Sequence, residues 1–213
     1  MIKYQKIDTV FERDMNGSKK LIEGSFRDPA VMYLKNNSWM FTEKIDGTNI
    51  GVVWDGHRVT FQGRTEKAQI PAALVNRLNE LFGGLVNEEL FEAAFGEETV
   101  ILFGEGYGNK IQKNGHLYKP DGVDFILFDV YFPEEDLYLE RESIENVAKT
   151  FNIACVPLLS RGTIAEAVAF VKSKPMSVIG TAPMEGLVLK PDVEMRDRQG
   201  KRIIVKVKVM DFE

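Results

Sequence analysis

Lys44 is the residue whose type and position in this sequence most directly indicate covalent chemistry. It begins the tetrapeptide Lys44-Ile45-Asp46-Gly47, at the predicted end of a strand and in the turn after it, so its amine can project into a cleft. A free lysine has a pKa of about 10.4 and acts as a nucleophile only where its surroundings favour the uncharged amine. The alternative is a surface hairpin, because Asp-Gly is a common turn and lysine is a common surface residue.

Two lysines near the end of the sequence form a second group that could act on a charged substrate. Lys206 and Lys208 are separated by one residue in the segment RIIVKVKV, whose alternating pattern predicts a strand. Alternate residues of a strand point to the same face, so both ammonium groups can reach one cluster of phosphates. The alternative is a charged edge strand that is solvated and binds no ligand.

The sequence on either side of Lys44 predicts the strands that must hold it. From Trp39 to Lys67, apolar and polar residues alternate around two Asp-Gly turns, which predicts a β-meander of three short strands centred near residues 41, 52 and 60. The segments that predict further strands are TVILFGEGYG, VDFILFDVYF, IACVPLL, EGLVLKP and RIIVKVKV.

Apolar residues at helical spacing predict several helices. One follows Pro71 in AALVNRLNELF and ends at Gly83-Gly84, because glycine is favoured just after the last helical turn. The others are EELFEAAF, ESIENVAKTFN and TIAEAVAFVKSK. No internal repeat and no Pro- or Ser-rich linker divides the chain. We therefore expect one α+β domain over residues 1–213, built from antiparallel sheets with flanking helices.

Composition and charge restrict the function class. The chain is 44% apolar and 28% charged, as in an ordinary globular protein, and its N-terminus lacks the apolar run of a signal peptide. No stretch reaches the length of about eighteen apolar residues that a membrane helix requires. We expect a soluble, cytoplasmic protein. The formal net charge of −5 argues against binding nucleic acid through bulk charge, so any such contact must be local.

Six short segments, in a fixed order, resemble the motifs of the covalent nucleotidyltransferases, the superfamily of DNA ligases, RNA ligases and mRNA capping enzymes. The first is KIDG at Lys44. The others are Arg64 in GRT, Glu105 in FGEG, Phe128-Asp129 in FILFDV, Glu185 to Lys190 in EGLVLK, and Lys206-Val207-Lys208. The segments TEKIDGTN, IQKN, PLLSRG and KVKVMDF narrow the resemblance to the RNA ligase 2 family, from about residue 38 to the end.

This resemblance implies an ATP-grasp-like nucleotidyltransferase domain and a three-step reaction. Lys44 would attack the α-phosphate of ATP and displace pyrophosphate; AMP would then pass to an RNA 5′-phosphate, and a 3′-hydroxyl would displace it. Lys206 and Lys208 would favour the uncharged amine and neutralise the phosphate. Glu185 would hold Mg²⁺ or Mn²⁺, since nucleotidyl transfers commonly use a cation bound by few protein oxygens.

The same resemblance assigns the contacts to the nucleotide. Glu105 is expected to accept a hydrogen bond from the ribose, Glu43 to contact the adenine edge, and Phe128 to stack on the purine. Further contacts to phosphate or to the RNA terminus are expected from Asn49 and Arg64, and Lys190 is expected to join Lys206 and Lys208 at the α-phosphate.

The resemblance also implies the partners and leaves two alternatives open. We expect a monomer that acts in RNA repair on RNA 5′-phosphate and 3′-hydroxyl ends, in a duplex, and in a host cytoplasm if the chain is phage-encoded. The chain ends five residues after Lys208, so we expect no separate C-terminal RNA-engaging domain. One alternative is an ATP-dependent DNA ligase or capping-type nucleotidyltransferase. The other is a non-catalytic RNA-binding protein on a ligase scaffold, against which the intact Lys44 argues.

Overall fold

The computed structural model describes residues 1–213, which divide into two compact units. The first unit comprises Met1–Tyr4 and Asp46–Val156, and the second comprises Gln5–Ile45 and Pro157–Glu213. The tetrapeptide that begins at Lys44 is therefore shared between the two units. That residues 1–213 act as one nucleotidyltransferase domain stays a prediction.

Groups of strands are interspersed with helices along the chain. The strands, β1 to β13 in chain order, are Asp8–Thr9, Phe11–Arg13, Leu21–Phe26, Trp39–Lys44, Thr48–Trp54, Val59–Gly63, Val100–Gly108, Val123–Phe132, Leu137–Tyr138, Ala154–Cys155, Leu158–Gly162, Gly186–Pro191 and Val205–Lys208. The helices, α1 to α6, are Pro29–Leu34, Ala72–Phe82, Leu85–Phe95, Gly115–Tyr118, Arg141–Thr150 and Ile164–Lys172. A short 3-10 helix, Val209–Phe212, follows β13. No helix is long and apolar enough to cross a membrane.

The first unit is built on a sheet with the strand order β10-β8-β7-β5-β6, and β9 pairs with β8. All of these pairs are antiparallel except β10 with β8. Helices α2, α3 and α5 pack on one face of this sheet, where Phe82, Phe91 and Phe151 contact one another. The opposite face carries a smaller cluster around Ile101 and Phe103.

The second unit is built on a sheet with the strand order β1-β13-β12-β4-β11, in which β1 with β13 is the parallel pair. Helix α6 packs on one face against the apolar side chains of β12 and β13. A capping box fixes the start of α6, because the side chains of Thr163 and Glu166 each bond the other residue's backbone N–H. The sheet that positions Lys44 is therefore supported from one side by a well-defined helix.

The α+β class and the antiparallel sheets are confirmed, and so are the strands near residues 41, 52 and 60. The predicted β-meander is wrong. Strands β5 and β6 form a hairpin, but β4 pairs with β11 and β12, in a different sheet. The segment Asp46-Gly47 thus connects one sheet to the other. Position 47 requires glycine, because a Cβ there would lie only 2.7 Å from the Glu105 Cγ.

Candidate active site

Three of the predicted residues meet in one ion-paired group in the second unit. The Lys44 Nζ lies 2.6 Å from one oxygen of Glu185, and the Lys208 Nζ lies 2.5 Å from the other. The carboxylate is 14% exposed, and the two lysine side chains are 23% and 26% exposed. The group is therefore partly screened from water, and it holds two positive charges against one negative charge.

The strand register brings this group together. Gly186 is paired with Lys44 on β4 and with Lys208 on β13, so the two lysines lie at the same level on either side of β12. A Cβ at Gly186 would meet the carbonyl oxygen of Val207 and would lie 2.7 Å from the Lys208 Cα. A side chain there would push β12 away from β13. The glycine after Glu185 thus keeps the carboxylate within reach of both lysines.

Alternation along the strands places two further lysines on the same face as Lys44 and Lys208. Lys206 is paired with Val188, which is paired with Thr42, and Lys190 is paired with Met40. The opposite face of the same strands packs against α6. Strand β13 lies between β12 and β1. The alternative of an edge strand for Lys206 and Lys208 is therefore wrong.

The basic residues just before β13 have structural roles. Arg202 is 3% exposed and makes a two-pronged ion pair with Glu194, with distances of 2.5 and 2.8 Å. Lys201 lies 2.9 Å from Asp8 at the surface. The stretch KRIIVKVK therefore divides into an N-terminal half that stabilises the fold and a C-terminal half that faces the candidate site.

Glu43 lies on the other face of β4 from Lys44. It is 1% exposed, and one carboxylate oxygen accepts a hydrogen bond of 3.1 Å from the backbone N–H of Val178. The other oxygen has no hydrogen-bond partner. Burial raises the pKa of Glu43, and the nearby Ser177 hydroxyl and the Val178 N–H oppose that rise. A buried acceptor without a donor is costly, so this oxygen is a candidate for a ligand contact.

The raised pKa of Glu43 predicts a pH-dependent effect of the substitution Glu43→Gln. The pKa of Glu43 is higher in the folded state than in the unfolded state. Below the unfolded pKa the carboxyl group is protonated in both states and carries no penalty. As the pH rises from there through the folded pKa, ionisation lowers the free energy of unfolding. We expect the variant to melt at a higher temperature than the wild type at neutral pH. The difference should disappear in the acidic range where glutamate normally titrates.

Melting curves at several pH values test this prediction, with Glu12→Gln as the control because Glu12 is exposed on β2. The control should match the wild type throughout. A Glu43→Gln protein that melts lower at neutral pH would mean that the charged carboxylate stabilises the fold.

In the first unit, the predicted ribose contact lies beside the glycine of the KIDG segment. Glu105 is paired with Asn49 on β5 and with Ile126 on β8, so the side chains of Glu105 and Asn49 share one face of the sheet. The backbone carbonyl of Gly47 accepts a hydrogen bond of 2.9 Å from Gln112. Gln112 lies in the IQKN segment, for which the sequence indicated no role. Arg64 is exposed in a bend directly after β6.

A β-bulge sets the position of Phe128. Phe103 is paired with Asp129 and Gly104 with Leu127, so Phe128 is an additional residue with no partner on β7. Leu127 and Asp129 are buried, whereas Phe128 is partly exposed. The bulge therefore leaves the ring of Phe128 partly accessible, whereas the side chains of its two neighbours are buried.

The predicted site residues are divided between the two units. Those in the second unit are Glu43, Lys44, Glu185, Lys190, Lys206 and Lys208, and those in the first unit are Asn49, Arg64, Glu105 and Phe128. No group of three or more His, Cys, Asp or Glu side chains is arranged to hold a metal ion. A cation bound at Glu185 would therefore take most of its ligands from water or phosphate, as Mg²⁺ commonly does.

Solved structures similar to this chain come from Naegleria gruberi RNA ligase. An aspartate-to-alanine variant without ligand has a TM-score of 0.70 at 22% identity, over 99% of this chain and 56% of that one. A glutamate-to-alanine variant with ATP and Mn gives 0.69 at 22% identity, over 99% and 57%. A lysine-to-alanine variant without ligand gives 0.64 at 25% identity, over 86% and 53%. These values show that the chain shares the fold of the aligned part of that protein.

The chain thus spans a little over half the length of these structures. No protein with a curated description is significantly similar in sequence. The sequence profile named RNA ligase matches residues 37–208, which include every predicted site residue. The chain therefore belongs to the RNA ligase family.

Proposed function

We propose that this protein is an ATP-dependent RNA ligase in which Lys44 becomes covalently adenylylated. The Lys44 amine attacks the α-phosphorus of ATP, a phosphoramidate N–P bond forms, and pyrophosphate leaves. An oxygen of an RNA 5′-phosphate then attacks the same phosphorus and frees the lysine. Finally a 3′-hydroxyl attacks the activated 5′-phosphate, and AMP leaves. The observation that carries this proposal is the ion-paired group of Lys44, Glu185 and Lys208 in a chain of the RNA ligase family.

The charged group places Lys44 beside the residues that would act on the phosphate. Glu185 accepts a hydrogen bond from the Lys44 Nζ. In the proposed attack the Lys44 amine is the nucleophile, and Lys208, bonded to the other oxygen of Glu185, contributes a positive charge to the same group. Lys206 and Lys208 also oppose the negative charge that develops on the phosphate. A divalent cation, Mg²⁺ or Mn²⁺, held by Glu185 with water and phosphate oxygens, would supply further positive charge there.

Further predicted residues are proposed to contact the nucleoside and the phosphates. Glu105 accepts from the ribose hydroxyls, and Phe128 stacks on the purine. Asn49 and Arg64 contact phosphate or the RNA terminus, and Lys190 joins Lys206 and Lys208 at the α-phosphate. Glu43 accepts from the amino group of adenine, a role that fits its unpartnered oxygen. Naegleria gruberi RNA ligase has been solved with ATP and Mn, which supports ATP and a divalent cation as the ligands here.

Stacking by Phe128 predicts a graded response to its substitution. Phe128→Ala should raise the KM for ATP more than Phe128→Leu does, because leucine still covers the face of a purine. We expect about a tenfold rise for alanine and a smaller one for leucine, with little change in kcat. Initial rates of adenylylation over a range of ATP concentrations measure both constants. Equal effects of the two substitutions would show that Phe128 is a core residue.

We propose that the second substrate is RNA with a 5′-phosphate and a 3′-hydroxyl in a duplex, and that the protein acts as a monomer. Sealing assays with nicked duplex RNA, single-stranded RNA and nicked DNA of one sequence test the substrate. Light scattering during gel filtration tests the oligomeric state. Sealing of nicked DNA in preference to RNA would favour the DNA ligase alternative.

Incubation with labelled ATP or labelled GTP, followed by denaturing electrophoresis, tests the proposed function as a whole. We expect an acid-labile, protein-bound label from ATP. A label from GTP would indicate a capping-type enzyme. No covalent label from either nucleotide, in the presence of Mg²⁺ or Mn²⁺, would support a non-catalytic RNA-binding protein.

A further inference from the structure

The N-terminal segment Met1–Tyr4 belongs to the first unit, although the residues that follow it belong to the second. The carbonyl oxygen of Ile2 accepts a hydrogen bond from the side chain of Gln62 on β6. The ring of Tyr4 packs against Phe103 and Phe128, with ring centroids 5.0 Å apart in each pair. The segment therefore lies on the face of the sheet that is opposite helices α2, α3 and α5.

Tyr4 also makes a polar contact at the bulge. Its hydroxyl donates a hydrogen bond to the carboxylate of Asp129, which is fully buried. Asp129 directly follows Phe128, the additional residue of the bulge, which has no partner on β7. Tyr4 thus touches the bulge twice, once through its ring at Phe128 and once through its hydroxyl at Asp129.

We infer that Tyr4 is a positioning residue for Phe128. The edge-on contact between the two rings, with an interplanar angle of 66°, limits the orientations that the Phe128 ring can take. The hydrogen bond to Asp129 restrains the backbone next to Phe128, a residue that has no pairing partner on β7. Tyr4 acts on the nucleotide through Phe128 and does not itself touch it. This inference rests on the proposed function, in which Phe128 stacks on the purine.

Kinetics of adenylylation separate positioning from a general effect on stability. Tyr4→Leu should raise the KM for ATP about tenfold and leave kcat within about twofold, because stacking is lost while the lysine group is unchanged. Tyr4→Phe keeps the ring and should show a smaller rise. The control is Tyr131→Leu, since Tyr131 packs in the same cluster on the same strand as Phe128, but its ring stacks on Tyr138, with centroids 4.3 Å apart. It should leave the KM unchanged.

A double-mutant cycle tests whether Tyr4 acts through Phe128. In a Phe128→Leu background, Tyr4→Leu should raise the KM little further, because the ring that it positions is already absent. If the wild-type protein adenylylates, additive effects in the cycle would overturn the inference and leave the proposed function standing. An unchanged KM in both Tyr4 variants would do the same. A wild-type chain that forms no AMP adduct would overturn the proposed function together with it. If Tyr4→Leu fails to fold, Tyr4→Phe replaces it in both experiments. Its KM is then compared with that of the wild type, and the same cycle is run with Phe128→Leu.

Discussion

Replacing Lys44 by alanine is expected to abolish formation of the covalent AMP adduct while the protein stays folded. The phosphoramidate bond needs an amine at this position, and a methyl group offers none. Lys44 is partly exposed at the end of β4, so its loss removes one ion pair with Glu185 and little packing. Lys44→Arg should be equally inactive, because a guanidinium group stays protonated at neutral pH.

Transfer of label from ATP, together with a thermal melt of each variant, measures this expectation. A melting temperature close to that of the wild type would show that the loss of label is chemical. A covalent AMP adduct on the Lys44→Ala protein would place the nucleophile elsewhere.

Glu185→Ala and Lys208→Ala are each expected to slow adenylylation by at least about a hundredfold, the scale typical of losing one preorganised charge at a transition state. Removing Glu185 deletes the carboxylate that bonds both lysines and the proposed ligand of the cation. Removing Lys208 deletes a positive charge that opposes the developing charge on the phosphate. Neither substitution should prevent folding, since Lys208 lies on the face opposite the packed core and the Glu185 side chain bonds only Lys44 and Lys208 among the ion pairs of this group.

Single-turnover rates at saturating ATP measure these effects. Lys201→Ala is the matched control, because Lys201 precedes the same strand but pairs with Asp8 at the surface. It should adenylylate at the wild-type rate. A Lys208→Ala protein with the wild-type rate would show that Lys208 serves only to pair with Glu185.

Local pattern predicted most of the strands and helices, and it failed where pairing depends on distant segments. The segment IACVPLL predicted one strand, but it forms β10 and β11 in different sheets, with Val156-Pro157 between them. Proline has no N–H with which to continue a ladder. The segment RIIVKVKV predicted a longer strand, yet β13 begins at Val205, and the backbone N–H of Ile203 bonds the carbonyl of Met195 instead.

The site was predictable as far as its residues lie in short motifs. The spacing of Lys206 and Lys208 indicated a shared face, which the register of β13 with β12 confirms. The pairing of Glu185 with two lysines depends on β4, β12 and β13 meeting at Gly186, which no local pattern indicates. Likewise the contact of Tyr4 with Asp129 joins residues 125 positions apart, and it carries no motif.

Locating the AMP adduct by mass spectrometry tests the proposed role of Lys44 most directly. The wild-type protein is incubated with ATP and a divalent cation, digested, and its peptides are sequenced by fragmentation. We predict one acid-labile AMP adduct, carried by the peptide that contains Lys44 and assigned to its Nζ. An adduct on another residue, or a fully unmodified Lys44 peptide, would contradict the assignment of Lys44 as the nucleophile.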